Sequence, residues 1–170
     1  QAERFWQYLR QGGLENAGQF YRCLASQCLG RDYAWREPQA LPRVALFHPR
    51  HAEATLEHWR ADWQAGRPVV ALLFYRTHLQ AANTAFIARF CERLAAQGLN
   101  PLPIALASLK ESACLAQVED WLERSDAALI VNTTGFAQSN PEAPELRPFR
   151  RDVPVLQAIC SLDNRPLWLD

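Results

Sequence analysis

The stretch Pro68-Val-Val-Ala-Leu-Leu-Phe-Tyr-Arg-Thr-His78 decides the fold class of this chain of 170 residues. Its apolar part, Val69 to Phe74, has the length of a strand and contains no polar residue. A continuous apolar run of this kind is typical of a strand that is buried on both faces, as in a parallel sheet covered by helices. The polar residues that follow at once mark the carboxyl end of the strand.

Outward from this strand, apolar segments of strand length alternate with apolar residues at helical spacing. Further strands are predicted at 44–47, 104–107, 128–131 and 153–159, and helices are predicted between the first four strands. This β-α-β-α-β-α-β order predicts an α/β fold: a Rossmann-like open parallel sheet of about four to five strands, with right-handed crossovers and helices on both faces.

An N-terminal helical segment, residues 1–31, is predicted before the sheet. Its first helix ends at Gly12-Gly13 and its second at Gly30, since glycine terminates helices. The proline-containing segment from Arg31 to Arg43 is interpreted as a linker, followed by a Rossmann-like domain over 44–170. We expect the whole chain to be one domain of a much longer protein, and the long polar loop 135–152 to be functional or disordered.

Composition excludes several classes of partner. The chain has 18 basic and 18 acidic residues, so broad electrostatic binding to nucleic acid or to a membrane surface is not expected. No apolar run approaches the length of about 20 residues that a membrane span needs. The five cysteines are odd in number and follow no signal segment, which predicts reduced thiols in the cytoplasm.

The motifs of the common α/β enzymes are missing from the sequence. There is no G-x-G-x-x-G after a strand, no G-x-x-x-x-G-K-[ST], no G-x-S-x-G and no H-E-x-x-H. Dinucleotide-dependent enzymes, P-loop ATPases, α/β-hydrolases and zincins are therefore not favoured, and the sequence identifies no catalytic residue.

Polar side chains follow two strands of the predicted sheet. Arg76, His78 and Asn83 follow the second strand, and Asn132 and Thr133 follow the fourth. Open α/β sheets bind ligands at the carboxyl edge, so we interpret these five residues as candidate substrate-binding residues. The alternative is that Asn83 caps a helix and that His78 is a surface residue.

The first predicted strand ends in His48-Pro-Arg-His51, which would join the same edge of a parallel sheet. The two histidines could be taken for a metal-binding pair. Pro49 disrupts a helical arrangement of the two, however, and no metal site is predicted from them.

Four motifs together resemble one family. They are Tyr8-Leu-Arg-Gln-Gly-Gly-Leu-Glu-Asn16, Phe47-His-Pro49, Leu73-Phe-Tyr-Arg-Thr-His78 with Asn83, and Val153-Pro-Val-Leu-Gln157. They are similar to the large subunits of aerobic cobaltochelatase and of magnesium chelatase, the CobN/magnesium chelatase H subunit family. The resemblance spans nearly the whole chain, while the chains of the family are many times longer.

The resemblance implies a role in ATP-dependent insertion of cobalt into a corrin precursor, hydrogenobyrinic acid a,c-diamide, in cobalamin synthesis. In the family, the large subunit binds the tetrapyrrole and separate AAA+-type subunits hydrolyse ATP. ATP and Mg²⁺ would thus belong to the full complex, cobalt would be a substrate, and this fragment would hold no cofactor. The implied partners are the remaining domains of the same subunit and the ATPase subunits. Alone, the fragment would be inactive.

Three alternatives stay open at this point. The chain could be a domain of a magnesium chelatase large subunit, which inserts magnesium into protoporphyrin IX. It could be a stand-alone small-ligand-binding α/β module, or a spacer domain that does not touch substrate. One departure from the family pattern is Ala82, where the family usually has glycine before the asparagine, and a Cβ there bears on how closely the backbone can approach a ligand.

Overall fold

The computed structural model describes residues 1–135 and 149–160. The loop 135–152 and the carboxyl end of the predicted domain therefore lie largely outside the described residues. The helices are α1 (Ala2–Gln11), α2 (Leu14–Leu29), α3 (Leu56–Asp62), α4 (Thr77–Gln80), α5 (Ala85–Ala96) and α6 (Ser112–Arg124). The strands are β1 (Val44–Leu46), β2 (Val69–Tyr75), β3 (Asn100–Leu106), β4 (Ala127–Asn132) and β5 (Val155–Gln157).

The five strands form one sheet in the order β1-β3-β2-β4-β5, and β2 lies at its centre. β2 runs parallel to both of its neighbours, with Leu73 opposite Ile104 on one side and Asn132 on the other. β5 continues the parallel pairing beyond β4. The predicted α/β class and the central position of the apolar strand are thus confirmed.

The prediction of an entirely parallel sheet is wrong at β1, which runs antiparallel to β3. The physical reason lies in the linker before β1. The Arg76 guanidinium donates to the backbone oxygen of Leu41 at 3.0 Å and the Ala107 N–H donates to that of Arg43 at 2.8 Å, so the chain enters the sheet beside the carboxyl end of β3. From there β1 can only run towards the opposite edge. A strand of three residues at the edge of a sheet needs one neighbour only, and the alternation of strands and helices does not fix its direction.

The core lies on both sides of β2 and β3, whose residues are almost all buried. Ile87 of α5 and Val118 and Leu122 of α6 are fully buried against it. The chain moves one way from β2 to β3 and the other way from β3 to β4. Right-handed crossovers therefore place α5 and α6 on opposite faces of the sheet.

The helices α1 and α2 form the predicted N-terminal segment, and the linker after them is held along α2 by buried amide side chains. Asn16 donates from Nδ2 to the backbone oxygens of Gly12 at 2.8 Å and Gln39 at 2.7 Å. Its Oδ1 accepts from the backbone N–H of Gln39 at 2.9 Å. Gln19 accepts from the backbone N–H of Arg36 at 2.9 Å. The linker has no regular secondary structure, yet side-chain hydrogen bonds fix its path.

The turn between α1 and α2 packs closely on α4. Gly12 has φ +67°, and a Cβ at this position would lie 2.7 Å from the backbone oxygen of Gln80. The next residue, Gly13, donates its N–H to that same oxygen at 2.8 Å. Only glycine permits this combination of backbone conformation and close approach. The glycine pair thus attaches the N-terminal helices to the loop that follows β2. The division of the chain at 1–31 and 44–170 stays a prediction.

None of the helices in the described ranges is long and apolar enough to cross a membrane.

Candidate functional site

The fold brings the two predicted groups of polar residues to one edge of the sheet. β2 and β4 are adjacent and parallel, so Arg76, His78 and Asn83 leave the same edge as Asn132 and Thr133. The backbone oxygen of Leu73 accepts hydrogen bonds from the Thr133 N–H at 2.9 Å and from its Oγ1 at 2.8 Å. The juxtaposition matches the sequence-based expectation, and contact with substrate stays a prediction for all five residues.

Asn132 is buried in a closed hydrogen-bond network. Its Oδ1 accepts from the N–H of Thr134 at 3.1 Å and from the hydroxyl of Thr134 at 2.7 Å. Its Nδ2 donates to Gln157 at 3.0 Å, and Gln157 donates back to the oxygen of Thr134 at 2.8 Å. Asn132 and Thr133 therefore shape the edge, since their polar groups are already satisfied within the fold.

Arg76 links three parts of the molecule at this edge. Its backbone N–H donates to Leu106 at the end of β3 at 2.8 Å, and its guanidinium holds Leu41 of the linker. The side chain is half-buried. Arg76 thus has a structural function in addition to its positive charge.

The His78 ring is half-buried against aromatic side chains. It lies edge-on to Phe86 with the ring centroids 4.8 Å apart, and Phe74 lies at 6.3 Å. Burial lowers the pKa of the His78 imidazole below its ordinary value. Burial therefore favours the uncharged form of the ring. Within the described part of the chain it has no hydrogen-bond partner.

Asn83 is exposed, and its side chain makes no hydrogen bond to the described residues. The N-cap residue of α5 is Thr84, so the alternative interpretation of Asn83 as a helix cap is wrong. The preceding Ala82 has φ +54°, in the left-handed region that favours glycine. The departure from the family pattern thus falls where a glycine would relieve backbone strain.

Sequence reasoning missed two charged residues at this edge, Arg43 and Glu111. Because β1 is antiparallel, its start and not its end lies beside the carboxyl end of β3. Arg43 donates from Nε to Glu111 at 2.8 Å. The Arg43 hydrogen bond, with a smaller contribution from Arg76, holds the pKa of Glu111 below its ordinary value. A pattern of strands and helices alone gives no signal for this pair.

The reversed direction of β1 also places His48 and His51 towards the opposite edge of the sheet. His48 is buried, and its Nδ1 accepts from the Arg50 N–H at 3.1 Å. Its Nε2 therefore carries the hydrogen and donates to Asp62 at 3.0 Å. The His51 ring stacks on His58 with the centroids 3.9 Å apart and the planes within 5°. The expectation that the end of the first strand joins the candidate site is thus wrong.

In the ranges 1–135 and 149–160, no three His, Cys, Asp or Glu side chains are arranged to hold a metal ion. The Nδ1 atom of His58 is occupied as well, because it accepts from the Thr55 N–H at 3.2 Å in a capping box. The histidine cluster, which consists of His48, His51 and His58, is therefore held together by hydrogen bonds and ring stacking.

The charges at the carboxyl edge favour an anionic ligand. Among the described residues of its loops, Arg43, Arg76 and Lys110 are cationic, and Glu111 is the acidic residue. A neutral imidazole and an exposed amide stand beside them, at His78 and Asn83. Such a set suits a ligand that carries both carboxylates and amides.

Comparison with known proteins gives three concordant results. Residues 6–170 match the family described as CobN/Magnesium Chelatase. The chain is 27% identical over 177 aligned positions to the aerobic cobaltochelatase subunit CobN of a Sinorhizobium species, covering 98% of this chain and 14% of that protein. The solved catalytic subunit of cobaltochelatase from Mycobacterium tuberculosis matches with a TM-score of 0.73 and 23% identity, over 99% of this chain and 14% of that one. This last likeness concerns the fold.

Proposed function

The chain belongs to the CobN/magnesium chelatase family, and we propose that it is one domain of the tetrapyrrole-binding large subunit of a cobaltochelatase. Relatives in the family are parts of a chelatase enzyme, and this chain spans 14% of the length of the matched proteins. The reaction proposed for the whole enzyme is the ATP-dependent insertion of cobalt into hydrogenobyrinic acid a,c-diamide, with cobalt as a substrate. Alone, this domain does not catalyse it.

In the proposed complex, ATP and the tetrapyrrole are bound by different chains. ATP and Mg²⁺ are assigned to separate AAA+-type subunits, as the family resemblance implies, and the sequence of this chain carries no P-loop. The remaining domains of the large subunit are the other partners. The proposed function of this domain is then to bind part of the tetrapyrrole.

One observation carries the proposal that this domain contacts substrate: the carboxyl edge combines cationic, amide and imidazole groups next to one another. A corrin precursor presents carboxylates and amides around its ring. Arg76 attracts the carboxylates, although its guanidinium is partly used by Leu41. The side-chain polar atoms of Asn83 and His78 have no hydrogen-bond partner among residues 1–135 and 149–160 and are therefore assigned to the ligand, while Asn132 and Thr133 fix the shape of the edge.

The test measures tetrapyrrole binding to the full-length large subunit carrying Asn83→Ala or His78→Ala. Loss of one hydrogen bond is worth about 0.5–1.5 kcal/mol, so we expect Kd to rise about two- to twelve-fold in each variant. Fluorescence quenching on titration with hydrogenobyrinic acid a,c-diamide measures Kd.

The matched control is Gln97→Ala, which removes an exposed side-chain amide at the opposite end of α5. Its Kd should equal that of the unaltered subunit. Thermal unfolding of each variant separates lost binding from lost folding. Unchanged Kd in both Asn83→Ala and His78→Ala would contradict a substrate contact at this edge.

A second measurement distinguishes the cobalt enzyme from the magnesium enzyme of the same family. The full-length subunit with its ATPase subunits should insert Co²⁺ into the corrin precursor and should not insert Mg²⁺ into protoporphyrin IX. Insertion of Mg²⁺ instead would reassign the domain to a magnesium chelatase.

A further inference from the structure

The helix α2 buries two amide side chains and exposes an apolar face, unlike an ordinary surface helix. The residues that it buries are Asn16, Gln19 and Cys23, which are 3%, 6% and 0% exposed. The side turned away from them carries only apolar or small residues. This outer face of α2 consists of Leu14, Ala17, Gly18, Tyr21, Ala25, Cys28 and Leu29.

The outer face of α2 is open in this structure. Leu14 is 78% exposed, and Tyr21 and Leu29 are each 68% exposed. A Cβ added at Gly18 would meet no atom within 4 Å. At 100° per residue the seven residues cover an arc of about 120°, which is the width of a stripe that faces a protein core. The adjacent helix α1 exposes Trp6 and Leu9 in addition, at 56% and 61%.

We propose that the outer face of α2 docks against an apolar helix in the remaining part of the same large-subunit polypeptide. The inference rests on the proposed function in one respect only: the chain is taken as part of a longer subunit. This fold occupies 14% of the length of the solved cobaltochelatase subunit and of the curated relative, so most of such a polypeptide is available as a covalently linked partner.

The spacing on the outer face favours a helix as the occupant. Leu14, Tyr21 and Cys28 recur every seven residues, and Gly18 and Ala25 lie between them. Large residues alternate with small ones, so ridges and grooves are both present for a second helix to fit. No charged residue interrupts the face, which requires an apolar partner surface.

The same features disfavour a membrane surface as the occupant. A helix that lies on a membrane has a polar side rich in lysine and arginine that faces the headgroups. In α2 the side opposite the apolar face is buried against the linker at Asn16 and Gln19, so these positions face neither lipid nor water.

Cys28 provides a direct readout, because this exposed thiol lies on the outer face of α2. We expect its alkylation by N-ethylmaleimide, followed by mass spectrometry in the native full-length subunit, to be at least tenfold slower than alkylation of glutathione. Gly18→Glu places a charge in the middle of the face and should raise the rate at least tenfold. Glutamate has a higher helix propensity than glycine, so the variant does not weaken α2 itself.

Two further variants complete the design. Leu14→Glu charges the first turn of the same face, where a carboxylate suits the helix dipole, and should also speed the reaction. Gln27→Glu adds the same charge at an exposed position outside the face and should leave the rate unchanged.

Three outcomes would overturn the proposal. The first is that Cys28 in the unaltered subunit reacts about as fast as glutathione. The second is slow alkylation that neither Gly18→Glu nor Leu14→Glu accelerates. The third is protection that grows with protein concentration alongside a doubled mass in light scattering, which assigns the face to a second copy. A subunit that inserts cobalt while Cys28 reacts freely would retain the proposed function and lose only this docking contact.

Discussion

The helices α2 and α5 bury opposite kinds of side chain. In α5, Ile87 and Cys91 are buried against the sheet, and Arg89 pairs with Glu92 on the outer side at 2.6 Å. In α2, amides are buried and leucine and tyrosine are exposed. Apolar burial thus holds α5 in place, whereas hydrogen bonds to the linker hold α2 in addition to the packing of Phe20 on Phe5 and Tyr8 of α1. The difference teaches that one chain can contain a helix whose apolar side is covered and another whose apolar side is exposed in the part of the chain that the structure describes.

The largest expected difference between the two helices concerns truncation of one apolar residue in each. Ile87→Ala leaves a cavity under α5 and should lower the free energy of unfolding by about 2–5 kcal/mol. Leu29→Ala removes a side chain that water already surrounds, so the change should stay within about 0.5 kcal/mol. Urea unfolding of this chain measures both. Equal losses would show that α2 is buried in solution.

The second prediction concerns Asn16, the amide at the centre of the buried side of α2. Asn16→Leu restores the usual pattern of an apolar inner side but leaves the backbone groups of Gln39 without their partner. We expect a loss of about 1–3 kcal/mol in unfolding free energy, the cost of unsatisfied buried polar groups. An unchanged or raised urea midpoint would be incompatible with this account of how α2 is held.

A gain in stability is expected just before α5. Ala82 has φ +54°, so Ala82→Gly relieves the strain of the left-handed conformation. The greater entropy of glycine in the unfolded chain offsets part of this relief, and the net gain should be about 0.5–1 kcal/mol. Thermal unfolding checks it, with Ala81→Gly as the control, since Ala81 has an ordinary right-handed conformation and should lose stability.

The smallest effect is a dependence on pH that involves the surroundings of α5 and of α3 but not α2, because all four histidines come after residue 47. Burial lowers the pKa of His78, which packs on Phe86 of α5, and the pKa of His51 is lowered by burial and by its histidine neighbours. The unfolded chain therefore takes up protons near pH 6.5 that the folded chain does not. Stability should fall as the pH drops below about 6.5 towards the folded pKa values.

The variant His78→Asn tests the contribution of one histidine to this slope. Urea midpoints measured between pH 7.5 and pH 5 should fall less steeply in the variant than in the unaltered chain. A slope that His78→Asn leaves unchanged would assign the pH dependence to the histidine cluster around His51.

Much of the sheet could be predicted because an uninterrupted run of apolar residues indicates a buried strand. The run from Val69 to Phe74 predicted the central strand, and the strand at 153–159 was found in a shorter form as Val155–Gln157. The direction of β1 could not be predicted in the same way. It goes with long-range contacts, among them the hydrogen bond from Arg76 to Leu41, 35 residues apart in sequence, and no local pattern encodes such contacts.

The sequence predicted where the candidate site lies in the fold. It did not predict which hydrogen bonds its side chains make. Parallel pairing of β2 and β4 required Arg76 and Asn132 to leave the same edge. Whether their polar atoms remain available depends on partners such as Thr134 and Gln157, which come from other parts of the chain. For the same reason Arg43, which precedes the first strand, was not anticipated at this edge.

The contact of Gly12 with Gln80 couples the N-terminal helices to the segment that carries His78 and Asn83. With no side chain between the two backbones and a hydrogen bond from Gly13 alongside, the turn cannot shift without moving the residues that follow β2. The Arg76 guanidinium, which also follows β2, donates a hydrogen bond to Leu41 of the linker. A displacement of α2 on docking would therefore be transmitted through Gly12, Gly13 and Gln80 to the loop that carries His78 and Asn83.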